Sequence, residues 1–450
     1  MSALIFRVGW LILSAGFYLV LAYGVPRAQF GLLTGLLAGL FLGYGLVVRR
    51  VGGVAVNRIL FASAIFFRLL LLFAMPQLSD DVYRFVWDGR LLAHGYNPYL
   101  YLPNQLLDTP IVTACGLDET LFRQLNSPNY FTVYPPFNQA LFGVAAWLSG
   151  GDLFWNIVWL RVPIILGEIG SLWLMTRLLH HLKHNPNLAL LYGLNPLVIL
   201  ELTGNLHFET VMIFFALLSA WLFTRKLFVP SAGALALAIG TKLLPLLLLP
   251  LIVRHLGWRK GMSYAIVTGV ITALLFVPFA SLELVSNIFS SINLYFQKFE
   301  FNASVYYVLR TVGYWVKGYN AIERIGFWLS ITTTLSVLWI AFRWRTVPAS
   351  IQTVATLTLY FAFATTVHPW YITTLVAASV FTRFRYPLVW SALIPLSYHT
   401  YSGQPYQENL WLTALEYGIV FVAGTLEVLD YRRATKKAID LPTNGFTNLS

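Results

Sequence analysis

The sequence predicts an all-α membrane protein, a polytopic bundle of about twelve transmembrane helices. Three observations lead to this fold class. Of the 450 residues, 58% are hydrophobic and only 11% are charged, and the mean hydropathy is +0.69, whereas soluble domains carry roughly 25% charged residues. Apolar stretches of roughly 20 residues, the length that a helix needs to cross a bilayer, recur along the chain. Short basic clusters separate these stretches, as in other multi-pass proteins.

The spans can be placed in chain order. They lie at residues 6–24, 29–48, 58–75, 157–180, 188–204, 208–224, 261–280, 323–343, 349–366, 370–382, 387–400 and 410–430. Residues 229–253 are too long for one span, and Lys242 and Pro245 interrupt them. We therefore expect a pair of short helices that meet at Lys242, with a single tilted helix whose lysine snorkels as the alternative. The first segment carries no obvious small-x-small cleavage site, so we expect it to remain as a span.

Basic residues define the expected topology. They lie in the clusters Arg49, Arg50 and Arg58; Lys183; Arg225 and Lys226; Arg254, Arg259 and Lys260; Arg343 and Arg345; Arg383 and Arg385; and Arg432 to Lys437. If every cluster is cytoplasmic by the positive-inside rule, the spans alternate consistently and both termini lie inside. Residues 76–156 and 281–322 then form outer loops. We expect residues 1–430 to form one transmembrane domain and residues 431–450 a short, partly disordered cytoplasmic tail.

Composition excludes several other classes. The net charge of +12 comes from single or paired basic residues between apolar spans, without a long basic run, so no nucleic-acid partner is expected. Cys115 is the only cysteine, which excludes an intramolecular disulfide and a cysteine-based zinc site. The aromatic residues, 16% of the chain, suit interfacial belts and sugar binding equally well.

An acidic doublet, Asp80 and Asp81, opens the first outer loop directly after the third span. The segment from residue 79 to residue 90 is predicted to form an amphipathic helix along the membrane. In one account the two aspartates cap this helix, and Arg84 pairs with Asp88 on its wet face. In the other, one aspartate is a general base whose pKa is raised by partial desolvation at the membrane surface.

Three further motifs bear on this choice. Gly95-Tyr96-Asn97-Pro98-Tyr99 predicts a turn, Tyr134-Pro135-Pro136-Phe137 precedes a second amphipathic stretch that ends at Gly150-Gly151, and Lys242 lies within an apolar segment. In this order, and together with the acidic doublet, they resemble the bacterial polyprenyl-phosphate-mannose-dependent mannosyltransferases of the GT-C superfamily. The resemblance extends from about residue 58 to residue 382.

The resemblance implies a GT-C-type fold, a polyprenyl-phosphate sugar as donor and a glycan or glycolipid as acceptor. It places Asp80 first, and Asp81 second, at the reaction centre as the catalytic carboxylate. We expect Arg84, Asp88 and Tyr134 to contact substrate. No cluster with zinc-ligand spacing accompanies the doublet, so neither a metal site nor a cofactor is predicted. Family members differ in metal use, which leaves open a divalent ion bridging the two aspartates.

Lys242, in Gly240-Thr241-Lys242-Leu243-Leu244-Pro245, matches the family's lysine in an apolar segment. An ionisable group there costs roughly 2.5–3.5 kcal/mol unless it has a partner. We expect it to contact the lipid phosphate, and the alternative is an ion pair with a buried glutamate, Glu168 or Glu201. Arg161, near the outer end of its span, is interpreted as a snorkelling residue rather than a second phosphate contact.

Two short outer turns carry further candidates. His207 and Glu209, in Gly204-Asn205-Leu206-His207-Phe208-Glu209, could hydrogen-bond sugar hydroxyls or orient the base, or could form only a polar turn. His368 and Tyr371, in His368-Pro369-Trp370-Tyr371, suit a phosphate or a sugar face, with an interfacial aromatic anchor as the alternative. Residues 301–310 resemble a family segment that borders the active site.

The expected activity is transfer of a hexose, mannose by resemblance, to an acceptor hydroxyl on the outer face of a bacterial inner membrane, facing the periplasm or exterior. Asp80 or Asp81 would deprotonate the hydroxyl, and Lys242 with His368 or Arg84 would stabilise the leaving phosphate. One displacement would invert the anomeric carbon. A transporter or flippase and an inactive scaffold are the competing classes. An outer loop of about 80 residues favours an enzyme, because a transporter is expected to place its charges near the bilayer midplane.

Overall fold

The computed structural model describes residues 2–49 and 55–440, with residues 2–4, 292–298 and 437–440 described by their backbone alone. Within these residues the regular elements are helices, and the single β-type pairing is an isolated parallel bridge between Phe301 and Thr366. The first helices are α1 (Ser2–Gly24), α2 (Phe30–Val48), α3 (Arg58–Leu70), α4 (Asp81–Ala93), α5 (Pro103–Leu106), α6 (Pro110–Ala114), α7 (Glu119–Phe122), α8 (Pro136–Ser149), α9 (Leu153–His181), α10 (Leu190–Gly193) and α11 (Glu209–Thr224). The remaining helices are α12 (Phe228–Thr241), α13 (Leu249–Leu256), α14 (Trp258–Phe276), α15 (Leu284–Lys298), α16 (Val305–Lys317), α17 (Ile322–Arg343), α18 (Ala349–Phe363), α19 (Ile372–Ser379), α20 (Tyr386–Leu393) and α21 (Leu410–Asp440).

Six helices of the described chain are long and apolar enough to cross a membrane. Their apolar parts are Ile5–Gly24, Phe30–Val48, Leu153–His181, Trp258–Phe279, Ile322–Arg343 and Leu410–Lys436. A seventh crossing results if the short helices Pro186–Gly193 and Val198–Gly204, bent by 63°, form one broken span. The polytopic helical bundle is therefore confirmed. The other expected spans coincide with the shorter helices α3, α11, α18, α19 and α20, so the total of about twelve stays a prediction.

The segment around Lys242 forms the expected pair of short helices. α12 ends at Thr241, Lys242 is extended (φ −155°, ψ 139°), and a 3₁₀ turn from Leu244 to Leu248 leads into α13. Pro245 explains the break, because its ring restricts the preceding residue and it lacks the amide that would continue the helix. At this break the lysine side chain faces the cavity described below.

The long segment between α3 and α9 is largely helical, and its longest helices, α4 and α8, pack against each other. Phe85 of α4 stacks on Phe142 of α8 with ring centroids 4.7 Å apart. Gly89 allows this close crossing, since a Cβ at that position would lie 2.4 Å from the carbonyl oxygen of Phe142. α8 ends as expected at Gly150, whose φ of 59° favours glycine at a helix end. The pair forms a packed unit with the acidic doublet at its edge.

Arg161 is wholly buried in α9, which contradicts the expectation that it snorkels. Its guanidinium donates hydrogen bonds to the backbone carbonyl oxygens of Thr203 (2.8 Å), Leu72 (2.7 Å) and Ala74 (2.5 Å). The carbonyl groups at the ends of helices lack helical partners and must be satisfied in another way. Arg161 therefore ties α9 to the chain that follows α3 and to the π-helical segment Val198–Gly204.

The last helix, α21, continues past the boundary expected at residue 430. The final part of the expected tail, residues 441–450, and the basic residue Arg50 lie outside the described residues. The membrane orientation and the single-domain organisation stay predictions.

Candidate active site

A cavity of about 990 Å³ lies among the start of α4, the break after α12 and the turns that precede α11 and α19. All of the site residues expected from the sequence except Asp88 line it: Asp80, Asp81, Arg84, Tyr134, His207, Glu209, Lys242, His368 and Tyr371. The fold thereby brings into one cavity motifs that are far apart in the chain.

Asp80 precedes α4 and forms an ion pair with Arg27, which lies in the connector between α1 and α2. The Arg27 guanidinium also lies over the ring of Tyr401, 4.3 Å from its centroid. Burial alone would lower the pKa of Arg27, but the Asp80 carboxylate outweighs this effect and raises that pKa above its ordinary value. Because the carboxylate is directed at Arg27 rather than at the first amides of α4, the expectation that Asp80 serves as a helix cap is wrong.

Asp81 is the first residue of α4, and its side chain is half-buried beside Asn126. The Asn126 amide donates a 2.7 Å hydrogen bond to Oδ1 of Asp81. Burial raises the pKa of Asp81 to about 6, although the Asn126 hydrogen bond and the positive charge of Lys242 both lower it. Asp81 therefore has the proton affinity that suits a general base near neutral pH, and Lys242 lies within electrostatic reach of it.

Arg84 and Asp88 form the ion pair expected from their spacing on α4, with 2.8 Å between Nε and Oδ1. Both side chains are buried, so the expectation of a wet helix face is wrong. Arg84 also donates to the carbonyl oxygens of Ser127 (3.0 Å) and Tyr130 (2.8 Å). Gln139 donates to the other carboxylate oxygen of Asp88 (3.1 Å). Arg84 borders the cavity. Asp88 lies outside the cavity lining, and its ion pair with Arg84 fixes the orientation of the Arg84 side chain.

Lys242 pairs with Glu209, the first residue of α11. Its ammonium lies 4.3 Å from the centroid of the Tyr371 ring, which is within the range of a cation–π contact. The Glu209 side chain is almost fully buried, while 35% of the lysine side chain remains exposed to the cavity. The buried Glu209 carboxylate therefore fixes Lys242, and the exposed part of the lysine side chain can still contact a ligand in the cavity.

The glutamates that the sequence suggests as partners of Lys242 lie elsewhere. Glu168 pairs with Arg68 at 2.5 Å, and both side chains are fully buried. Glu201 accepts a 2.6 Å hydrogen bond from the hydroxyl of Tyr398. The alternative of a buried glutamate beside Lys242 is confirmed, but the partner is Glu209 rather than Glu168 or Glu201, while the expected phosphate contact stays a prediction.

Two turns supply a stack of aromatic rings to the cavity wall. The ring centroids of His207 and His368 lie 3.8 Å and 4.4 Å from that of Trp370, and Phe301 stacks on His368 at 4.8 Å. Trp370 is only 8% exposed, which argues against an interfacial anchor. Burial, with the nearby charge of Lys242, lowers the pKa of His368 to about 3. Burial therefore favours the neutral imidazole at pH 7.

Tyr134 begins the second of the two motifs that follow the acidic doublet. Its ring packs edge-on against Phe85 (4.9 Å) and Phe142 (5.5 Å), and its carbonyl oxygen accepts a 2.6 Å hydrogen bond from the hydroxyl of Tyr99. The side chain of Asn97 accepts from the Tyr99 amide (3.1 Å), which confirms the expected turn. The Asn-Pro-Tyr and Tyr-Pro-Pro motifs therefore support each other and shape one side of the cavity.

Sequence reasoning missed Arg27, Asn126 and Tyr401, which contact the acidic doublet or its partner. Arg27 carries a signal that could have identified it. It lies in a connector expected outside the membrane, where the positive-inside rule predicts few basic residues. Asn126 and Tyr401 offer no comparable signal, because isolated polar and aromatic residues are common in such segments.

The partners of the acidic doublet bear on the open question of a bridging metal ion. In the described part of the chain, no three His, Cys, Asp or Glu side chains group where an ion could bind. The Asp80 carboxylate faces Arg27, and the Asp81 carboxylate accepts from Asn126. Arg27 approaches only Oδ2 of Asp80, and Asn126 only Oδ1 of Asp81, so a divalent ion that bridges the two aspartates stays a prediction.

Comparisons with known proteins agree with the motifs. A family model described as the N-terminal domain of alpha-(1->6)-mannopyranosyltransferase matches residues 9–257, more than half of the chain. Alpha-(1->6)-mannopyranosyltransferase A of Mycobacterium tuberculosis is 27% identical over 287 residues, which cover 60% of this chain and 52% of that protein.

Two proteins of Corynebacterium glutamicum are also similar. Alpha-(1->6)-mannopyranosyltransferase A is 26% identical over 184 residues, covering 41% of this chain and 36% of that protein. Alpha-(1->6)-mannopyranosyltransferase B is 26% identical over 147 residues, covering 32% and 23%. The chain thus spans about half, or less, of the length of the curated relatives it matches. No solved structure matches it. The family match confirms the GT-C resemblance, and the chain belongs to the alpha-(1->6)-mannopyranosyltransferase family.

Proposed function

We propose that this protein is an inverting membrane mannosyltransferase, which moves mannose from a polyprenyl-phosphate donor to a hydroxyl group of a glycan or glycolipid. The observation that carries the proposal is the cavity shared by Asp81 and Lys242. There, a carboxylate with a pKa of about 6 lies within electrostatic reach of a partly exposed ammonium. The names of the relatives support mannose as the sugar and an α-(1→6) linkage in the product.

Asp81 is the better candidate for the general base. Asp80 is bound to the cationic Arg27, whereas Asp81 accepts a hydrogen bond from the neutral Asn126 and has the raised pKa. This assignment reverses the order that the resemblance implies. Asp80 then becomes a positioning residue, and its ion pair with Arg27 holds the start of α4 in place.

The proposed reaction is a single displacement. The acceptor oxygen forms a bond to the anomeric carbon of mannose while its proton passes to a carboxylate oxygen of Asp81. The bond between that carbon and the phosphate oxygen breaks, and its electron pair leaves with the lipid phosphate. Attack opposite the leaving group inverts the carbon, so a β-linked donor gives an α-mannoside.

Lys242 is the group proposed to stabilise the leaving phosphate. An ammonium has three N–H donors, and the pair with Glu209 leaves donors for a phosphate oxygen. A cation already fixed at that position favours the charge that develops on the departing oxygen. Glu209 would hold Lys242 rather than bind sugar, and the neutral His368 would add one hydrogen bond without charge.

A lipid-linked donor suits the position of these groups. The polyprenyl chain stays in the bilayer, so its phosphate must be met close to the membrane while the sugar projects outward. Lys242 lies at the end of the apolar helix α12, and the acidic doublet lies in the large loop that follows α3. We propose that the cavity faces the periplasmic side of a bacterial inner membrane, with both termini cytoplasmic, because the basic clusters favour that orientation.

The test is transfer of radiolabelled mannose from polyprenyl-phosphate mannose to a native membrane extract by the purified protein. We expect the wild type to transfer label and Asp81→Asn to lose at least about a hundredfold in rate. Asp80→Asn should retain more activity than Asp81→Asn. The matched control is Asp108→Asn, an exposed aspartate outside the cavity lining, which should keep wild-type activity. Transfer from a sugar nucleotide but not from the lipid donor would refute the proposed polyprenyl-phosphate donor. A fully active Asp81→Asn would refute Asp81 as the general base.

A further inference from the structure

One wall of the cavity takes no part in the chemistry proposed above. It is formed by Glu300, Arg310, Tyr406 and Glu408, and we call these four residues the acidic wall. They come from the chain before α16, from α16 itself and from the chain before α21. All four lie beyond residue 257, where the family match ends.

Glu300 and Arg310 form an ion pair of 2.5 Å that faces the cavity, with 28% and 17% of their side chains exposed. Oε2 of Glu300 accepts hydrogen bonds from Tyr306 and Asn320. A carboxylate has about four acceptor positions, two on each oxygen. Oε1, which accepts from Arg310, therefore keeps an acceptor position for a ligand.

Glu408 is held in a similar way. The hydroxyl of Tyr307 donates to Oε1 (2.5 Å), and the amide of Asn302 donates to Oε2 (2.7 Å). Each oxygen again keeps an acceptor position. Because two carboxylates in the acidic wall accompany a single guanidinium, the wall carries a net charge of about −1 and disfavours a phosphate while accepting hydroxyl donors.

Tyr406 adds an aromatic face to the wall. It is 51% exposed, and its ring packs edge-on against Tyr401 at 5.2 Å. Tyr401 also lies under Arg27, the partner of Asp80, and the hydroxyl of Tyr406 interacts with the same guanidinium. Aromatic rings beside a few oriented polar groups are typical of small-molecule sites. The acidic wall is therefore next to the reaction centre and suits the apolar face and hydroxyl groups of a sugar.

The cavity has the volume of a site for a ligand larger than one sugar residue. Pockets that take one drug-sized ligand measure roughly 300–1,000 Å³, and this cavity, at about 990 Å³, is at the upper end of that range. A mannosyl phosphate bound at Lys242 would leave the acidic wall free. We propose that the acidic wall is the acceptor subsite and selects a neutral sugar chain, whose terminal hydroxyl it presents to Asp81. This inference rests on the proposed function and names the acceptor class and its binding residues.

The first test removes the aromatic face. Tyr406→Leu is compared with Tyr406→Phe, which keeps the ring, and with Trp411→Leu, an exposed aromatic residue (86%) outside the cavity lining. The probe is an octyl α-(1→6)-mannobioside, used both in transfer assays and in equilibrium binding without donor. For Tyr406→Leu we expect about a fivefold rise in the acceptor KM and in the Kd of the probe, with an unchanged donor KM. Trp411→Leu should stay near wild type, and Tyr406→Phe should bind the probe more tightly than Tyr406→Leu because it keeps the ring.

The second test removes the charge. Glu408→Gln brings the formal charge of the acidic wall from about −1 to zero. We expect the wild type to prefer the neutral probe over a mannobioside with a terminal carboxylate by about tenfold, and Glu408→Gln to reduce that preference severalfold. An equal preference in wild type and variant would count against selection by charge.

The outcomes separate the subsite from the proposed function. An unchanged acceptor KM and Kd in Tyr406→Leu would overturn the subsite, as would an equal rise in the donor KM. If the wild type transfers no mannose, the proposed function fails, but the binding assay still decides the subsite. Weaker probe binding in Tyr406→Leu than in the comparison variants would then support the acceptor subsite, and unchanged binding in Tyr406→Leu would refute it.

Discussion

Arg27 and Asp80 form an ion pair across the cavity although 53 positions separate them in the chain. The same guanidinium lies over the ring of Tyr401, so one side chain joins the α1–α2 connector, the start of α4 and the chain before α21. The position of the acidic doublet therefore depends on the first two helices as well as on its own loop.

Arg27→Met should slow transfer by about tenfold to a hundredfold, because small displacements of reacting groups cost that much in rate. The donor KM should change little, and Arg27→Lys should retain part of the activity because it keeps the charge. Arg123→Met is the matched control, since Arg123 forms an exposed ion pair with Glu119. Steady-state kcat values measure the effect. A wild-type kcat in Arg27→Met would show that Asp80 needs no fixed position.

The transfer rate should rise with pH through a midpoint near 6. Asp81 must be ionised to accept the proton, and its pKa is raised to about 6, so the base is lost as the pH falls below that value. Asn126→Leu removes a hydrogen bond that lowers this pKa, so the midpoint should move to higher pH. Asn129→Leu, which loses a contact with Asn104, should leave it unchanged. The measurement is kcat/KM between about pH 4.5 and pH 8, and a downward shift in Asn126→Leu would be incompatible with Asp81 as the base.

Lys242→Met should reduce kcat by about a hundredfold or more and raise the donor KM, since a charge aimed at the leaving group is lost. The substitution also leaves Glu209 unpaired. The double variant Lys242→Met/Glu209→Gln removes that charge as well and should stay equally inactive. Lys317→Met, at an exposed position outside the cavity lining, is the control. Recovery of activity in the double variant would mean that Lys242 only neutralises Glu209.

Glu168→Gln should lower the free energy of unfolding by about 3–5 kcal/mol, because it leaves the buried Arg68 guanidinium without its charged partner. Arg68→Met/Glu168→Gln should recover part of that loss. Glu119→Gln, in an exposed pair, should cost less than about 1 kcal/mol. Thermal unfolding in detergent measures all three. A double variant that is less stable than Glu168→Gln would contradict this account.

The sequence allowed the helical bundle and most of the candidate site to be predicted, because ionisable residues inside apolar chain are rare and costly. Lys242 stood out for that reason, whereas Asp80 and Asp81 stood out as an acidic doublet directly after an apolar span. Arg27 and Asn126 did not stand out, because they reach the doublet only through tertiary contacts, and the pairing of Glu209 with Lys242 was missed for the same reason.

Asp88 and Arg161 illustrate a second difficulty. Spacing on one helix predicts that Arg84 and Asp88 pair, but it does not reveal that α8 covers them. Arg161 likewise has the position of a snorkelling residue. Its guanidinium is nevertheless buried in the bundle, where it donates hydrogen bonds to carbonyl oxygens at helix ends. Burial of a charged side chain depends on the packing of other elements, which a local pattern does not contain.

The stacking of His207 on Trp370 joins two parts of the cavity that are synthesised at different times. Chains generally fold from the N-terminus as they are synthesised, so the acidic doublet and Lys242 enter the membrane long before the segment that carries Trp370 and the acidic wall. A ribosome-bound intermediate would hold Asp81 and Lys242 without the far side of the cavity. The cavity is therefore completed only when the last third of the chain is in place.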